Sequence, residues 1–280
     1  MRVLVTGSSG RLGSVTVEHL KNSGHQVIGI DLIKHPSTDH LIDIQNKEDV
    51  GNILQGVDFI VHTAALHGKH YDLNYSREAL IEVNIKGTLN LLNAAVKNGI
   101  KKFLYLSTTS IYGTAMQDEK QAVWVDETLT EQPRDIYDIT KQCCEQLCKD
   151  FFYREGLATT VFRVARFLPE SENLTINHRL YRGLDERDGA EAIRLALLHN
   201  FDQFEIFNIS SGTPFRKEDL ALLKHSPLEA ILKYFPEAEE IYRKNNWIFP
   251  KTIDRVYVSE KAKAVLGYQP KYTFDYLLHQ

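Results

Sequence analysis

Residues 6–13 read Thr6-Gly7-Ser8-Ser9-Gly10-Arg11-Leu12-Gly13 and lie between a short apolar run, Arg2–Thr6, and a helical pattern, Leu12–Asn22. A turn between a strand and a helix is the setting in which glycines at this spacing bind a dinucleotide. Gly7 permits the tight turn, Gly10 lets the backbone approach a pyrophosphate, and Gly13 lets helix and strand pack closely. The helical pattern begins at Leu12, directly after Arg11, and both residues are expected to bind the cofactor because the N–H groups of a helix N-terminus attract phosphate. The stretch predicts a nucleotide-binding βαβ unit, and an ordinary Gly-rich turn is the alternative.

Short apolar strands alternate with helical patterns along the first 165 residues. The predicted strands are Arg2–Thr6, Gln26–Ile30, His40–Ile42, Asp58–His62, Lys102–Leu106 and Thr159–Val164. The predicted helices are Leu12–Asn22, Lys47–Leu54, Glu78–Val96 and Ile136–Arg154. This alternation predicts an α/β fold, a doubly wound parallel sheet of the Rossmann type.

The pattern becomes mixed after Phe167, where Gly and Pro are more frequent. We expect residues 1–168 to form the dinucleotide-binding core. Residues 169–280 are expected to complete the sheet and form a small mixed α/β substrate lid, because no linker separates the two parts. The predicted elements of this part are a helix at Gly189–His199, a strand at Glu205–Ile209 and a helix at Ser259–Leu266.

Composition excludes several classes of protein. The 280 residues are 43% hydrophobic and carry a net charge of −4, which is typical of a globular protein and gives no sign of a nucleic-acid or membrane-surface partner. No apolar run is long enough to cross a bilayer, and the first strand leaves no room for a signal peptide. Cys143, Cys144 and Cys148 lie on one predicted helix, where they cannot form a disulfide framework. We therefore expect a soluble, cytoplasmic protein.

Two acidic residues follow the second and third strands. Asp31 ends the second strand, where a carboxylate accepts hydrogen bonds from the ribose hydroxyls and repels a 2′-phosphate. NAD is therefore favoured over NADP, although Arg11 and Lys34 would soften that repulsion. Asp43 and Ile44 are expected to contact the adenine, and the alternative for Asp43 is a solvated loop residue.

Tyr137 and Lys141 are four residues apart and share one face of the predicted helix. An ammonium beside a phenol favours the phenolate and lowers the pKa of the tyrosine. Such a tyrosine can exchange a proton near neutral pH, which is the chemistry that accompanies hydride transfer. An exposed helix face is the alternative.

Further motifs occur in a fixed order with these residues. The motifs are the glycine turn, His62-Thr63-Ala64-Ala65, Asn84, Ser107-Thr108-Thr109-Ser110-Ile111-Tyr112-Gly113 and Tyr137-x-x-x-Lys141. With these motifs, the chain resembles the extended short-chain dehydrogenase/reductases, the NAD-dependent epimerase/dehydratase family, over about residues 1–165.

The resemblance implies roles for several of these residues. Tyr137 would be the acid/base, and Lys141 would hold the nicotinamide ribose and bias Tyr137. Thr108 would hydrogen-bond the reacting oxygen, with Ser107 as the alternative. Ala64 and Ala65 would let the backbone lie close to the cofactor, and Asn84 would support it. The family also implies a homodimer through the helices 78–96 and 136–154.

The chain departs from the nucleotide-sugar members of this family after the sixth strand. Arg166 stands where those members carry Asn, and only a short stretch, Ser171 to Arg182, precedes the next helical segment. This region is similar to that of uronate dehydrogenases, which oxidise a free sugar acid with NAD. Arg166 would then pair with a substrate carboxylate, and an ordinary ion pair is the alternative. His67, Thr109 and Ser110 are also expected to contact substrate.

The same residues leave three functions open. The first is an NAD-dependent oxidoreductase acting on a hydroxyl of a small, sugar-like substrate. The second is a nucleotide-sugar epimerase or dehydratase that uses NAD transiently, and the third is a non-catalytic NAD sensor. His62, His67 and His70 form a histidine-rich stretch without a carboxylate or cysteine at ligand spacing, so no metal site is predicted.

Overall fold

Seven parallel strands form the main sheet of the computed structural model, which describes residues 1–67 and 74–280. The expectation for His70 therefore lies outside the described residues. The sheet order is β3-β2-β1-β4-β5-β7-β8, and the doubly wound Rossmann-type fold is confirmed. The strands are β1 (Arg2–Thr6), β2 (Gln26–Asp31), β3 (His40–Leu41), β4 (Phe59–His62), β5 (Lys102–Thr108), β7 (Ala158–Val164) and β8 (Glu205–Ile209).

Helices cover both faces of this sheet because its strands are apolar on both sides. On one face, α1 and α7 pack on each other, and on the other face α4 packs against α2 and α5. The helices beside the main sheet are α1 (Arg11–Asn22), α2 (Lys47–Ile53), α3 (Arg77–Leu80), α4 (Gly87–Lys97), α5 (Ile136–Glu155) and α7 (Glu186–Leu198).

The predicted helix 78–96 is not one regular α-helix. A π-helical segment, Ile81–Lys86, separates α3 from α4. Within it, the carbonyl oxygen of Asn84 accepts hydrogen bonds from Thr88 Oγ1 at 2.5 Å and from Cys144 Sγ at 3.1 Å. Side chains thus replace part of the regular backbone pattern, as is common where a π-bulge serves a site.

The last third of the chain adds β8 to the main sheet and builds most of a second layer. Its two-stranded parallel sheet joins β6 (Val123–Val125) to β9 (Arg255–Tyr257). A separate hydrophobic cluster that includes Leu180, Phe215 and Tyr242 holds this layer together. The remaining helices are α6 (Glu172–Arg179), α8 (Leu220–His225), α9 (Pro227–Tyr234), α10 (Ala238–Asn245), α11 (Glu260–Leu266) and α12 (Phe274–Leu278).

The glycine turn yields the first testable prediction. A Cβ atom on Gly13 would lie 2.0 Å from the carbonyl oxygen of Gly7, and neither backbone can move away without opening the turn. We expect Gly13→Ala to lower the free energy of unfolding by about 1–3 kcal/mol, measured by urea denaturation.

Gly51→Ala is the matched control for that change. Gly51 lies inside α2, and a Cβ atom there would meet no atom within 4 Å. This variant should be neutral or more stable by up to about 1 kcal/mol, because alanine favours the helix. Equal losses in both variants would contradict the role given to the turn.

Candidate active site

A cavity of about 670 Å³ opens at the carboxyl ends of the central strands. This edge is where open parallel α/β sheets bind ligands. Most of the residues singled out in the sequence line it. They are Gly7, Gly10, Arg11, Leu12, Gly13, Ala65, His67, Thr108, Thr109, Ser110, Tyr137, Lys141 and Arg166. Asp31, Asp43, Ile44, Ala64 and Asn84 do not line it, and their positions are described below.

The floor of the cavity is a contact between two pieces of backbone. Gly7 has a φ of +70°, and a Cβ atom there would lie 2.7 Å from the backbone nitrogen of Ala64. Thr6 Oγ1 accepts a hydrogen bond from that same nitrogen at 3.2 Å. The Thr63 hydroxyl donates to the carbonyl oxygen of Thr6 at 2.6 Å. The turn is thus held open against β4, leaving a side-chain-free cradle of the kind that a pyrophosphate requires.

Asp31 lies behind this cradle rather than on the cavity wall. Its carboxylate accepts hydrogen bonds from the backbone N–H groups of Ser9 at 2.9 Å, Leu32 at 2.7 Å and Ile33 at 3.2 Å. Because a carboxylate offers about four lone-pair directions, one remains for a ribose hydroxyl. Asp31 therefore both fixes the glycine turn and keeps acceptor capacity beside it.

The two residues expected at the adenine have different surroundings. Asp43 is half-buried and accepts hydrogen bonds from the backbone and side chain of Gln45 at 2.9–3.2 Å. Ile44 is only 6% exposed and packs against Gly87 at the start of α4. The Ile44 side chain thus belongs mainly to the core of that layer.

His62 links β1 to α4 as a neutral ring. Thr88 Oγ1 donates its hydrogen to the carbonyl oxygen of Asn84, so it can only accept from His62 Nε2, at 2.9 Å. His62 Nδ1 is then the acceptor for the hydroxyl of Thr6 at 2.7 Å. Burial lowers the pKa of His62 to about 3, which keeps the ring uncharged.

Asn84 positions the segment that follows β4. Its side chain accepts a hydrogen bond from the backbone nitrogen of Leu66 at 2.8 Å and donates to the Leu66 carbonyl oxygen at 3.2 Å. It also donates to Thr140 Oγ1 on α5 at 3.1 Å. Asn84 thus ties the segment carrying Ala65 and His67 to the helix carrying Tyr137.

Tyr137 and Lys141 lie on the cavity side of α5, as the i, i+4 spacing predicts. The ring of His67 meets the ring of Tyr137 edge to face, with centroids 4.6 Å apart. The Lys141 ammonium lies 5.9 Å from the centre of the Tyr137 ring and donates to the Leu106 carbonyl oxygen at 2.7 Å. Lys141 is 3% exposed, and burial lowers its pKa to about 8.

A run of hydroxyl groups faces these residues at the end of β5. The Thr108 hydroxyl donates to Ser110 Oγ at 3.1 Å, and the Ser110 backbone nitrogen donates back to Thr108 Oγ1 at 3.1 Å. The Ser110 hydroxyl donates to Asp138 Oδ1 at 2.5 Å. Thr109 is buried and its hydroxyl donates to the carbonyl oxygen of Val164 at 3.4 Å.

Two arginines that line the cavity, Arg166 and Arg182, form a basic wall and are joined by the half-buried Glu170 and the buried His178. Arg166 Nε donates to Glu170 at 2.5 Å, and His178 Nδ1 donates to the other oxygen of the same carboxylate. Arg182 donates to His178 Nε2 at 2.7 Å. Burial raises the pKa of Glu170, but the hydrogen bonds from His178 and Arg166 outweigh it, so the pKa is lowered. Arg255, paired with Asp254, completes this basic wall.

Sequence reasoning missed Asp138, Arg182 and Arg255 among the cavity residues. A signal existed for Asp138, which directly follows Tyr137 and lies on the first turn of the same helix. No local sequence pattern indicates that Arg182 and Arg255 line the cavity. Arg182 reaches the wall because residue 183 bridges to Arg166, and Arg255 because β9 pairs with β6.

No cluster of histidine, cysteine and carboxylate side chains that could hold a metal ion occurs within residues 1–67 and 74–280. Across the same described ranges, none of the helices is both long and apolar enough to traverse a bilayer.

Comparison with protein families agrees with the Rossmann-type fold described above. The model described as the NAD dependent epimerase/dehydratase family matches residues 3–182. The 3-beta-hydroxysteroid dehydrogenase of Mycolicibacterium neoaurum is 34% identical over 173 residues, which are 58% of this chain and 46% of that protein. The uronate dehydrogenase of Pseudomonas putida is 27% identical over 179 residues, 62% of this chain and 63% of that protein. The chain thus spans about half the length of the first of these curated relatives.

Similarity to solved structures extends over nearly the whole chain. The UDP-N-acetylglucosamine 4-epimerase from Bacillus cereus is 26% identical with a TM-score of 0.72, covering 99% of this chain and 96% of that one. The structural similarity therefore extends beyond the matched family region into the last third of the chain.

The buried ammonium of Lys141 yields a second prediction. In the unfolded chain its pKa is about 10.4, whereas burial lowers it to about 8 in the folded state. The unfolded state therefore binds more protons between those values, and the contribution of Lys141 to stability rises with pH through that window. Lys141→Met removes the cost, so at pH 7 this variant should unfold at a temperature no lower than the wild type.

The unfolding temperature of the wild type should rise relative to that of Lys141→Met as the pH increases from about 8 to about 10. Calorimetry across pH 7–10 measures it, with the exposed Lys97→Met as control. A difference that does not change with pH would contradict the buried, lowered pKa.

Proposed function

We propose that this chain, which belongs to the NAD dependent epimerase/dehydratase family, is an NAD-dependent oxidoreductase acting on a hydroxyl of a small, polar, sugar-like substrate. One observation carries the proposal. Tyr137, Lys141 and Thr108 line the same cavity as the glycine cradle, at the carboxyl edge of the sheet.

The cradle fits a dinucleotide because its glycines leave backbone where any Cβ atom would collide. Gly7, Gly10 and Gly13 would hold the pyrophosphate, assisted by Arg11 and Leu12 at the start of α1. Asp31 would bind the adenosine ribose and disfavour a 2′-phosphate, so NAD is preferred to NADP. Asp43 and Ile44 would flank the adenine, Ala64 and Ala65 would contact the cofactor by backbone, and Asn84 would hold that segment.

Hydride acceptance is the chemistry that NAD supplies when bound. The residues of this chain handle the proton and the oxygen. Tyr137 takes the hydroxyl proton as the carbon loses its hydride, and Lys141 stabilises the resulting phenolate charge and binds the ribose. Thr108 hydrogen-bonds the oxygen that becomes the carbonyl, which gives alcohol plus NAD yielding carbonyl, NADH and one proton.

The basic wall of the cavity supports an anionic group on the substrate. Arg166, Arg182 and Arg255 line it, while their partners Glu170 and Asp254 supply only two charges. A guanidinium that keeps N–H groups unbound by its partner suits a carboxylate. His67, Thr109 and Ser110 would complete the substrate contacts. The uronate dehydrogenase similarity favours a sugar acid.

The second candidate is a nucleotide-sugar epimerase or dehydratase using NAD transiently. The length of this chain does not exclude a nucleotide-sugar substrate, because the chain covers 96% of the Bacillus cereus UDP-N-acetylglucosamine 4-epimerase. A diphosphate would also suit the basic wall. The two candidates differ in net redox, since only the first accumulates NADH.

Three broader features belong to the same proposal. Residues 1–168 would be the dinucleotide-binding core, and residues 169–280 would complete the sheet and cover the substrate. A cytoplasmic location is consistent with three free thiols at Cys143, Cys144 and Cys148. A homodimer would form through helices 78–96 and 136–154, which expose the apolar residues Ile81, Val96, Ile139 and Tyr153.

The catalytic assignment is tested with Tyr137→Phe. The purified wild type is incubated with NAD and D-glucuronate, D-galacturonate, UDP-glucose or UDP-glucuronate, and NADH is followed by absorbance. We expect NADH from a free sugar acid and a fall in kcat of about 10²–10⁴-fold in Tyr137→Phe, because the proton acceptor is lost. Affinity for NAD should stay nearly unchanged.

Tyr276→Phe is the control, since this partly exposed tyrosine lies on α12 away from the cavity. Epimerised nucleotide sugar without NADH would favour the second candidate. Full turnover in Tyr137→Phe would exclude the mechanism for both.

The dimer is tested by sedimentation of variants. A chain of 32.1 kDa should sediment as a dimer, and Ile139→Glu should shift it toward monomer by placing a charge on α5. Leu174→Glu, on the equally exposed face of α6, should remain dimeric. A monomeric wild type at micromolar concentration would refute the proposal.

A further inference from the structure

A charged cluster lies inside the core and does not line the cavity. Its centre is Arg163 of β7, which is 1% exposed. Arg163 Nε donates to Glu145 Oε1 at 3.1 Å, and Nη2 donates to Glu145 Oε2 at 2.7 Å. Nη2 also pairs with Glu131, and Nη1 donates to the hydroxyl oxygen of Tyr112 at 3.0 Å. A single guanidinium thus binds side chains from three other segments.

The guanidinium of this cluster is charged and its phenol is neutral. Burial lowers the pKa of Arg163, but the hydrogen bonds and charge of Glu145 outweigh it, so the pKa is raised. Burial raises the pKa of Tyr112 to about 12, and its hydroxyl donates to Asn208 Oδ1 at 2.9 Å. Buried ion pairs seldom stabilise a protein more than apolar side chains of similar volume would. Net stability therefore does not explain why the core contains one.

Two partners of Arg163 belong to the elements that carry the proposed catalytic groups. Glu145 lies on α5, in the i, i+4, i+8 row of side chains that begins with Tyr137. Tyr112 lies in the 3₁₀ turn that begins directly after Thr108 at the end of β5. Arg163 thus links the helix of the acid/base to the turn beside the catalytic hydroxyl.

The position of α5 depends on how many points along the helix are anchored. Near its start, the Ser110 hydroxyl donates to Asp138 Oδ1 at 2.5 Å. Glu145 lies seven residues further on, which is about 10 Å along the helix axis. Lys141, between them, also reaches β5, but its flexible stem fixes a distance less tightly than a planar guanidinium does. The Arg163 fork at Glu145 is therefore the rigid anchor that stops α5 from pivoting about its first turn.

We propose that Arg163 is a positioning residue, which holds α5 against the turn after β5 and so sets the separation of Tyr137 and Thr108. Both of those side chains must reach one substrate oxygen, the first to take its proton and the second to hydrogen-bond it. The inference rests on the proposed function and deepens it, since it adds a residue that acts through Tyr137 and Thr108 without touching substrate.

The first experiment replaces the buried ion pair by apolar side chains. Arg163→Met alone leaves Glu145 buried without its cation, so this variant should be strongly destabilised. Combining Arg163→Met with Glu145→Leu removes both charges at similar volume, and Glu131 is exposed enough to stay solvated. The urea midpoint of this double variant should lie close to that of the wild type. Its affinity for NAD, measured by titration calorimetry, should also be retained, because the glycine turn is not part of the cluster.

The deciding measurement is kcat for D-glucuronate oxidation by the double variant. We expect a fall of about 10–100-fold, since misplacing a catalytic group by about 1 Å costs up to about 10²-fold. A purely structural cluster predicts that a stable double variant turns over as fast as the wild type. That result would overturn the inference.

Asp219→Asn is the control for loss of stability alone. Asp219 is 2% exposed and accepts from Lys233 Nζ at 2.6 Å, in the second layer and outside the cavity lining. This variant should lower the urea midpoint and leave kcat unchanged, because it touches neither α5 nor the turn after β5.

Tyr112→Phe breaks the link at the turn and leaves the ion pair of Arg163 and Glu145 in place. We expect kcat to fall by about 3–10-fold, the effect of one lost hydrogen bond on the geometry. In the double variant the same substitution should cost much less, because the link is already broken. An unchanged kcat in Tyr112→Phe, or an equal loss in both backgrounds, would overturn the inference even where the double variant does not fold.

The second experiment needs no turnover. Crystal structures of the NAD complexes of the wild type and the double variant give the separation of Tyr137 Oη from Thr108 Oγ1. That separation should differ by about 0.5–1 Å between the two structures, while the glycine turns superpose. An unchanged separation would count against the positioning role.

The two experiments separate the two levels of proposal. A wild type that oxidises no sugar acid, with a changed separation in the double variant, retains the positioning role and refutes the proposed function. An active wild type with full kcat in a stable double variant retains the proposed function and refutes the positioning role.

Discussion

The site depends on one backbone contact, between the glycine turn after β1 and the end of β4. A Cβ atom on Gly7 would lie 2.7 Å from the Ala64 nitrogen, and one on Gly13 would lie 2.0 Å from the Gly7 oxygen. No side chain fits between these segments, so the cavity floor consists of peptide groups. The same contact sets the position of the segment after β4, which Asn84 then ties to α5. Displacing the turn would therefore move His67 relative to Tyr137 as well as opening the phosphate cradle.

Two buried basic side chains near this floor differ in their charge. Lys141 is an ammonium, whereas His62 is neutral. His62 is satisfied as a neutral ring by two threonine hydroxyls, which removes a positive charge beside Lys141. Lys141 donates to the carbonyl oxygen of Leu106, and its lowered pKa reflects the cost of burying its charge. Burying an ammonium in this way costs free energy. Under the proposed function, a phenolate or a ribose oxygen beside the ammonium would offset this cost.

The sequence predicted what local pattern controls. Strand Glu205–Ile209 and helix α1 follow from short-range hydrophobic order, and Tyr137 and Lys141 reach the cavity because i, i+4 residues share a helix face. Features that depend on tertiary contacts were not predicted. The π-helical segment depends on Thr88 and Cys144 meeting the carbonyl of Asn84, which no helical pattern encodes. Arg182 and Arg255 enter the cavity through a bridge to Arg166 and the pairing of β9 with β6, contacts between residues far apart in the chain.

Substrate size illustrates the same limit. The short segment after Arg166 suggested a small substrate, yet a nucleotide-sugar epimerase of similar extent shares this fold. The length of the chain after Arg166 therefore says little about the substrate, whereas the charge of the cavity wall says more. Arg166 is already bound through Nε to Glu170, and the same carboxylate reaches Arg182 through His178. Because that network fixes both arginines before a ligand arrives, their remaining N–H groups are presented with little loss of side-chain entropy. Under the proposed function, selection at this wall would depend on where the anionic group lies relative to the reacting hydroxyl, which differs between a sugar carboxylate and a diphosphate.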